Sequence, residues 1–325
     1  MYVVDPIWIG PPPAELSASV EPGGTIFPDL AVLERVEVDV AAAGVRVTVA
    51  KDGFVAVDFS DFASGGRHRP EDFDSAAIAI LARATVLNAF LACLGTEVLE
   101  QNRLALWLQP VGPDDLFAMD AADQPSSISI PKGFARELHG ARTLSTYNLF
   151  TPAIYDSRLS SRTIVSVEAT IAAVGRLRRL IEHPSEQALA LAELYLRSAS
   201  AYQRHDYSNA LIQAWAVIES MISELWQRYV AARSARGEES SPDFVLEPPR
   251  LTASQMIDVL TLARELPQPL YEKLRVVRQA RNKWMHALRP VSPASATVAV
   301  MVVPKLLDHV HHITLELGLG RQLTY

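Results

Sequence analysis

The sequence predicts a small α+β domain followed by an all-α helical bundle, and so a chain that is mostly helical. Three observations lead there. Residues 36–59 alternate apolar and polar side chains with a period of two; beyond about Ser161 the apolar residues recur at helical spacing; and the charge balance changes sign between the two parts. Residues 1–150 hold 10 Lys+Arg against 20 Asp+Glu, a balance of -10, and residues 151–325 hold 20 against 17, or +3. At 325 residues the chain is long enough for two domains with separate cores.

The first domain is placed at 1–150. Val36, Val38 and Val40 alternate with Glu37 and Asp39, Val45, Val47 and Val49 with Arg46 and Thr48, and Val55, Val57 and Phe59 complete a β-meander with glycine turns. Pro70 opens a helix to about Leu94, its first turn carrying Glu71, Asp72 and Asp74 where the helix dipole favours acids. Leu104–Leu108 reads as another strand, and 110–132, rich in Pro, Asp and Ser, as loop. Residues 151–184 are expected to be a helical connector, with Arg162–Glu182 helical up to His183-Pro184. In the second domain, 185–325, Ser185 caps a helix to about Arg204, and Asp206 or Ser208 starts a long one to about Arg233. After a loop at 234–250, helices follow at Thr252–Leu266, Pro269–Leu288 and Ala294–Leu317.

Composition excludes several function classes. A hydrophobic share of 49% and a charged share of 21% are those of a soluble globular protein. The single cysteine, Cys93, rules out an internal disulfide framework and a cysteine zinc site, and a reducing cytoplasm is expected. Ser75–Leu94 is the most apolar helical stretch, but Arg83 and Asn88 interrupt it, so it reads as a core helix rather than a membrane span. There is no G-x-S-x-G, P-loop or G-x-G-x-x-G motif. Asp308, His309, His311 and His312 flank a core stripe of Leu306, Val310, Ile313 and Leu317, which fits a solvated helix flank better than a metal site; no metal or cofactor is expected. A net charge of -7 is too acidic for a purely electrostatic nucleic-acid binder, whereas the last 75 residues, with 9 basic against 5 acidic (+4), leave room for a local phosphate site.

Two polar intruders mark the helical domain. In 269–288, Leu270, Leu274, Val277, Trp284 and Leu288 form one apolar face whose missing step is Arg281. Arg275, Arg278, Asn282 and His286 line the adjacent face. In the long helix, Ile212, Trp215, Ile222 and Trp226 form a stripe whose missing step is Glu219. A charge in a core stripe is costly unless paired, so Glu219 and Arg281 are expected to pair across the bundle, either as a register-setting ion pair or as part of a site. Arg281 and His286 lie about 140° apart around their helix, so they line one cleft that wraps it or meet across two chains. A second R-x4-H match, Arg178 to His183, falls at a helix end before Pro184 and is read as chance.

The helix Asn209-Ala-Leu-Ile-Gln-Ala-Trp-Ala-Val-Ile-Glu-Ser-Met, followed by Arg281-Asn282-Lys-Trp-Met-His286, resembles the HEPN superfamily, and within it the Apea-like, defence-associated group. The resemblance covers roughly 185–318. It implies a bundle of four or more helices, usually dimeric, with an R-x(4–6)-H motif near the dimer interface. Many members are metal-independent endoribonucleases acting as toxins, RNA processors or antiviral effectors; others are silent binding modules. On that resemblance Arg281 would contact the scissile phosphate, His286 would move a proton and Asn282 would position the site, with Glu219 and Arg278 in support. The expected partners are RNA and a second copy of the chain, with no membrane and with a protein partner or trigger for the first domain. A role in stress response or phage defence follows from family analogy alone. The chemistry agrees, since histidine titrates near neutral pH and arginine binds phosphate oxygens with a planar fork. A hydrolase site in the first domain is the remaining alternative.

Overall fold

A computed structural model describes residues 7–12, 35–62, 73–112, 163–236 and 251–319. The chain divides into two compact units, Met1–Pro184 and Ser185–Tyr325. Helices dominate the described residues, and strands occur only in the first unit.

The first unit holds β1 (Ile7–Ile9), β2 (Val36–Ala42), β3 (Val45–Ala50), β4 (Val55–Asp58), α1 (Phe73–Asn102), β5 (Thr163–Val165) and α2 (Val167–Ile181). The meander is antiparallel in the order β2-β3-β4, with Val47 opposite both Val40 and Val57. Period-two alternation works as the sequence implies: Val45, Val47 and Val49 are buried, and Arg46 faces water, where Asp39 pairs with it. That pairing holds the Asp39 carboxyl below the usual carboxylate range. Gly44 turns the first hairpin at φ +82, and a Cβ there would meet the Asp61 carbonyl oxygen at 2.8 Å, so only glycine fits. The buried Lys51 side chain ties the two sheets together: its Nζ donates to the Ile9 carbonyl at 2.7 Å and lies 3.4 Å from the Glu37 carboxylate.

Several boundaries differ from the sequence reading. α1 runs to Asn102 rather than Leu94. Leu104–Leu108 forms no strand and follows α1 as irregular chain. Residues 163–184 belong to the first unit: β5 pairs in parallel with β1, and α2 packs along α1. The Glu97 and Glu100 carboxylates hold Arg176 of α2 at 2.7 and 3.0 Å. The expected loop at 110–132 lies almost wholly outside the described residues. Within α1, Ala77–Asn102 is apolar and long enough to cross a membrane, and more than half of its most apolar window is buried inside the protein. Cys93 lies in that buried stretch, where desolvation pushes its thiol up to about 12. The reactive thiolate is therefore suppressed near neutral pH. Native protein at pH 8 is expected to resist a thiol-specific reagent, and denaturant should release one equivalent; rapid native labelling would show the burial to be wrong.

The second unit is helical: α3 (Ala188–Gln203), α4 (Tyr207–Ala235), α5 (Ala253–Leu262), α6 (Gln268–Ala287) and α7 (Pro293–His311). Asp206 caps α4 by accepting from the Asn209 N–H, and Thr252 starts α5 with a reciprocal capping box to Gln255. α4 is the central helix and contacts each of the other four. Its buried residues, including Leu211, Trp215, Ile218, Ile222 and Leu225, face α3 and α7 most extensively. Two cross-links set directions. Tyr202, at the end of α3, shares a 2.8 Å hydrogen bond with Thr297 in the first turns of α7, and Arg228, late in α4, donates to the Val310 carbonyl late in α7 at 2.6 Å. α4 and α7 therefore run parallel, and α6, joined to α7 by a short turn, runs antiparallel to both.

α7 ends at His311, not near Leu317. His312 adopts a left-handed conformation (φ +56), and Ile313, Leu315 and Leu317 are buried in extended chain, with the Leu317 N–H donating to the Tyr195 hydroxyl at 3.1 Å. The expected helical stripe therefore stops at Val310. His311 is buried, with its Nε2 3.1 Å from the Glu224 carboxylate; His309 Nε2 meets the Glu265 carbonyl at 2.7 Å. Among the described residues no group of His, Cys, Asp and Glu is arranged to hold a metal ion.

Candidate functional site

α6 owes its position to a short buried stripe. Leu270, Leu274 and Val277 are buried, and the next steps along that face are Arg281, then Trp284. Arg281 is half-buried and meets α4, its guanidinium carbon 5.9 Å from the Trp215 ring centre. Its Nε is buried without a hydrogen-bond partner, and one terminal nitrogen donates to Asn282 Oδ1 at 3.3 Å. A cation over an indole face is attracted by the ring quadrupole, and this contact takes the place that the sequence reading gave to an acid.

Glu219 is that acid, and it is exposed. No ion pair joins it to Arg281 among the described residues. The physical reason is the centre of the α4 stripe: burial centres on Ile218 and Leu211, so Glu219, about 100° further round, sits on the flank. The expected Glu219–Arg281 pair is thus replaced by a Trp215–Arg281 contact. The α6 stripe also stops early. Trp284 is half-buried, and Leu288 is 75% exposed at a left-handed helix end (φ +49).

His286 lies on the exposed side of the last α6 turn, with Asn282, Lys283, Met285 and Arg289 also exposed around it. It makes no side-chain hydrogen bond among the described residues and does not touch Arg281. Arg278 donates to the Ser254 hydroxyl of α5, which anchors it beside this end of α6. Asn282 accepts the hydrogen bond from Arg281 and is itself exposed.

The electrostatics of α6 and α7 set them apart. From Lys273 to Leu307 there are seven basic residues (Lys273, Arg275, Arg278, Arg281, Lys283, Arg289, Lys305) and no Asp or Glu. None of the seven forms an ion pair among the described residues. Several other described arginines are matched: Arg46 with Asp39, Arg176 with Glu97, Arg178 with Glu182, Arg197 with Glu193, Arg228 with Glu224. Two lysines even meet, and contact with the Lys305 side chain holds Lys273 below the ordinary lysine range. Unmatched cations on one helix pair are an electrostatic footprint for an anion with several charges. The sequence reading places Arg281, Arg278 and Asn282 at the site and Trp215 in the core stripe; the acid-free run around them is a property of the sequence itself. The second R-x4-H match is unlike the first, because Arg178 is spent on an ion pair with Glu182 on its own helix.

Comparison with protein-family models, with curated proteins and with solved structures finds no match to this chain.

Proposed function

We propose that this chain is a HEPN-like, metal-independent endoribonuclease of the cytoplasm, working as a homodimer through its helical unit. The observation that carries the reading is the acid-free, unpaired cationic run on α6 and α7 with Arg281, Asn282 and His286 on it. A phosphodiester needs positive charge on its oxygens, and Arg281, backed by Trp215, supplies it from a helix that is already ordered. His286 supplies proton transfer. The 2′-hydroxyl loses its proton as its oxygen attacks phosphorus; the P–O5′ bond breaks, and the 5′-oxygen takes up a proton, leaving a 2′,3′-cyclic phosphate. One histidine cannot stand on both sides of the phosphorus, and His286 is turned away from Arg281 in a single chain. A second copy bringing its own α6 end alongside would provide the second proton-transfer group, and exposed Met285 and Leu288 offer the apolar surface for that meeting.

That same divergence of Arg281 and His286 favours a second reading, a silent module that binds RNA without cutting it. The two part on one experiment: wild-type protein with a mixed-sequence single-stranded RNA in EDTA. Cleavage to cyclic-phosphate ends that is lost in Arg281→Ala supports the ribonuclease; binding without cleavage supports the module. Under either reading, binding should weaken with salt. If Arg281 and two neighbours each neutralise a phosphate, log affinity should fall against log salt with a slope of about -2, from roughly 0.7 per phosphate on a single strand. A flat salt response would remove the phosphate-contact basis of both.

A further inference from the structure

The α3–α4 turn lies at the same end of the bundle as the α6 motif. Arg281 meets α4 at Trp215, and because α6 runs antiparallel to α4, its last turn with His286 advances toward the start of α4. At that start stand Tyr202, His205 and Tyr207. Tyr202 and Tyr207 meet edge to face with ring centres 5.5 Å apart, and the His205 ring follows at 5.8 Å from Tyr207. The group is fastened at three points. The Tyr202 hydroxyl is bonded to Thr297 of α7, His205 Nδ1 shares a 2.7 Å hydrogen bond with the Tyr207 hydroxyl, and His205 holds a left-handed backbone (φ +63) between the two helices. The remaining His205 ring nitrogen has no partner among the described residues, and the His205 side chain is exposed. The acid of this turn, Asp206, is committed to the α4 cap through the Asn209 backbone and side-chain amides. Tyr195, Trp215 and Trp226 of the same unit are core residues, whereas Tyr202 and Tyr207 keep part of their rings in water.

We propose that Tyr202, Tyr207 and His205 form a nucleobase subsite, taking an unpaired base of the RNA strand whose phosphate lies at Arg281. This deepens the ribonuclease reading and rests on it. Aromatic faces take any base, and a duplex keeps its bases stacked inside, so the subsite selects single strands. The reach fits: Trp215 to Tyr207 is eight residues of α4, about 12 Å of helix rise, or roughly three to four stacked nucleotide steps at 3.4 Å. His205 Nε2 is left to hydrogen-bond a base edge or a flanking phosphate.

The test is binding of a fluorescent single-stranded RNA 12-mer to full-length His286→Ala protein, alone and with Tyr207→Leu or Tyr207→Phe added. Tyr207→Leu should weaken binding about tenfold, the scale of one stacked base. Tyr207→Phe, which keeps the ring but removes the hydroxyl that holds His205, should weaken binding less than Tyr207→Leu, and an RNA with abasic sites should narrow the gap between Tyr207→Leu and parent. Circular dichroism checks that each variant is folded; should Tyr207→Leu unfold, His205→Ala takes its place with the same expected direction. Tight RNA binding that Tyr207→Leu and His205→Ala leave unchanged overturns the subsite and spares the ribonuclease reading. Absence of RNA binding and cleavage by wild-type protein overturns both.

Discussion

His286→Ala should reduce RNA cleavage by about 10²- to 10⁴-fold, the range for removing a general acid or base, with the fold intact. The structure separates the two effects. His286 is exposed, makes no side-chain hydrogen bond among the described residues and sits in the last turn of α6, so truncating it removes no core contact. Its stability change should stay within about 0.5 kcal/mol, as for surface positions generally. RNA affinity should fall far less than rate, because the cations proposed to hold phosphate remain. A His286→Ala protein that cleaves at the wild-type rate would falsify the assignment of proton transfer to this residue. Mixing wild-type with His286→Ala chains extends the test: if one site needs the His286 of both chains, mixed dimers are inactive too, and activity falls as the square of the wild-type share rather than in proportion to it.

Trp215→Ala should give the largest loss of stability among the site residues, about 3–5 kcal/mol, as expected for deleting a buried aromatic. Trp215 is 6% exposed, lies on the buried face of the central helix and carries the Arg281 contact. The loss should appear in thermal denaturation as a fall in Tm of roughly 10 °C or more. Two milder changes isolate its effect on the site. Trp215→Phe keeps a ring under the guanidinium and should retain most cleavage. Trp215→Leu keeps an apolar side chain, though a smaller one, without a ring, and with a cation–π contact of about 1–2 kcal/mol removed it should cut more slowly, by roughly tenfold. If Trp215→Leu is as active as Trp215→Phe, the indole serves only the core.

Much of the second unit was legible because helical periodicity is a local signal. Of the two starts the sequence offers for α4, Asp206 is the cap, and Thr252, read as the first residue of the next helix, caps α5 from one position before it. The end of α7 differs from the expected Leu317 for a reason visible in the same residues. Ile313, Leu315 and Leu317 alternate with Thr314 and Glu316 at period two, the signature of extended chain, while Val310, Ile313 and Leu317 alone also fit a helical spacing. β5 left no such trace. Three residues pairing in parallel with β1, more than 150 positions away, are a tertiary event that local pattern does not encode. The Glu219–Arg281 expectation failed in an informative way. Spacing correctly placed an arginine beside the core of the bundle, but it assumed that a buried cation must find an acid, and an indole face answered instead. The two tryptophans of α4 lie toward one edge of the stripe, whereas smaller residues at 211, 214 and 218 mark its centre.

The turn that ends α6 has a consequence for how such a site would be switched. Arg281 sits between a helix and an indole, so its side chain gave up its freedom when the protein folded. His286, five residues on, retains its rotamers in water. The ordering of one half is thus already complete, and that of the other half, about 0.5–1.5 kcal/mol for one side chain, falls due only when something settles against the last turn of α6. Whatever arrives there, substrate or second chain, would set the histidine, while the arginine waits already in place.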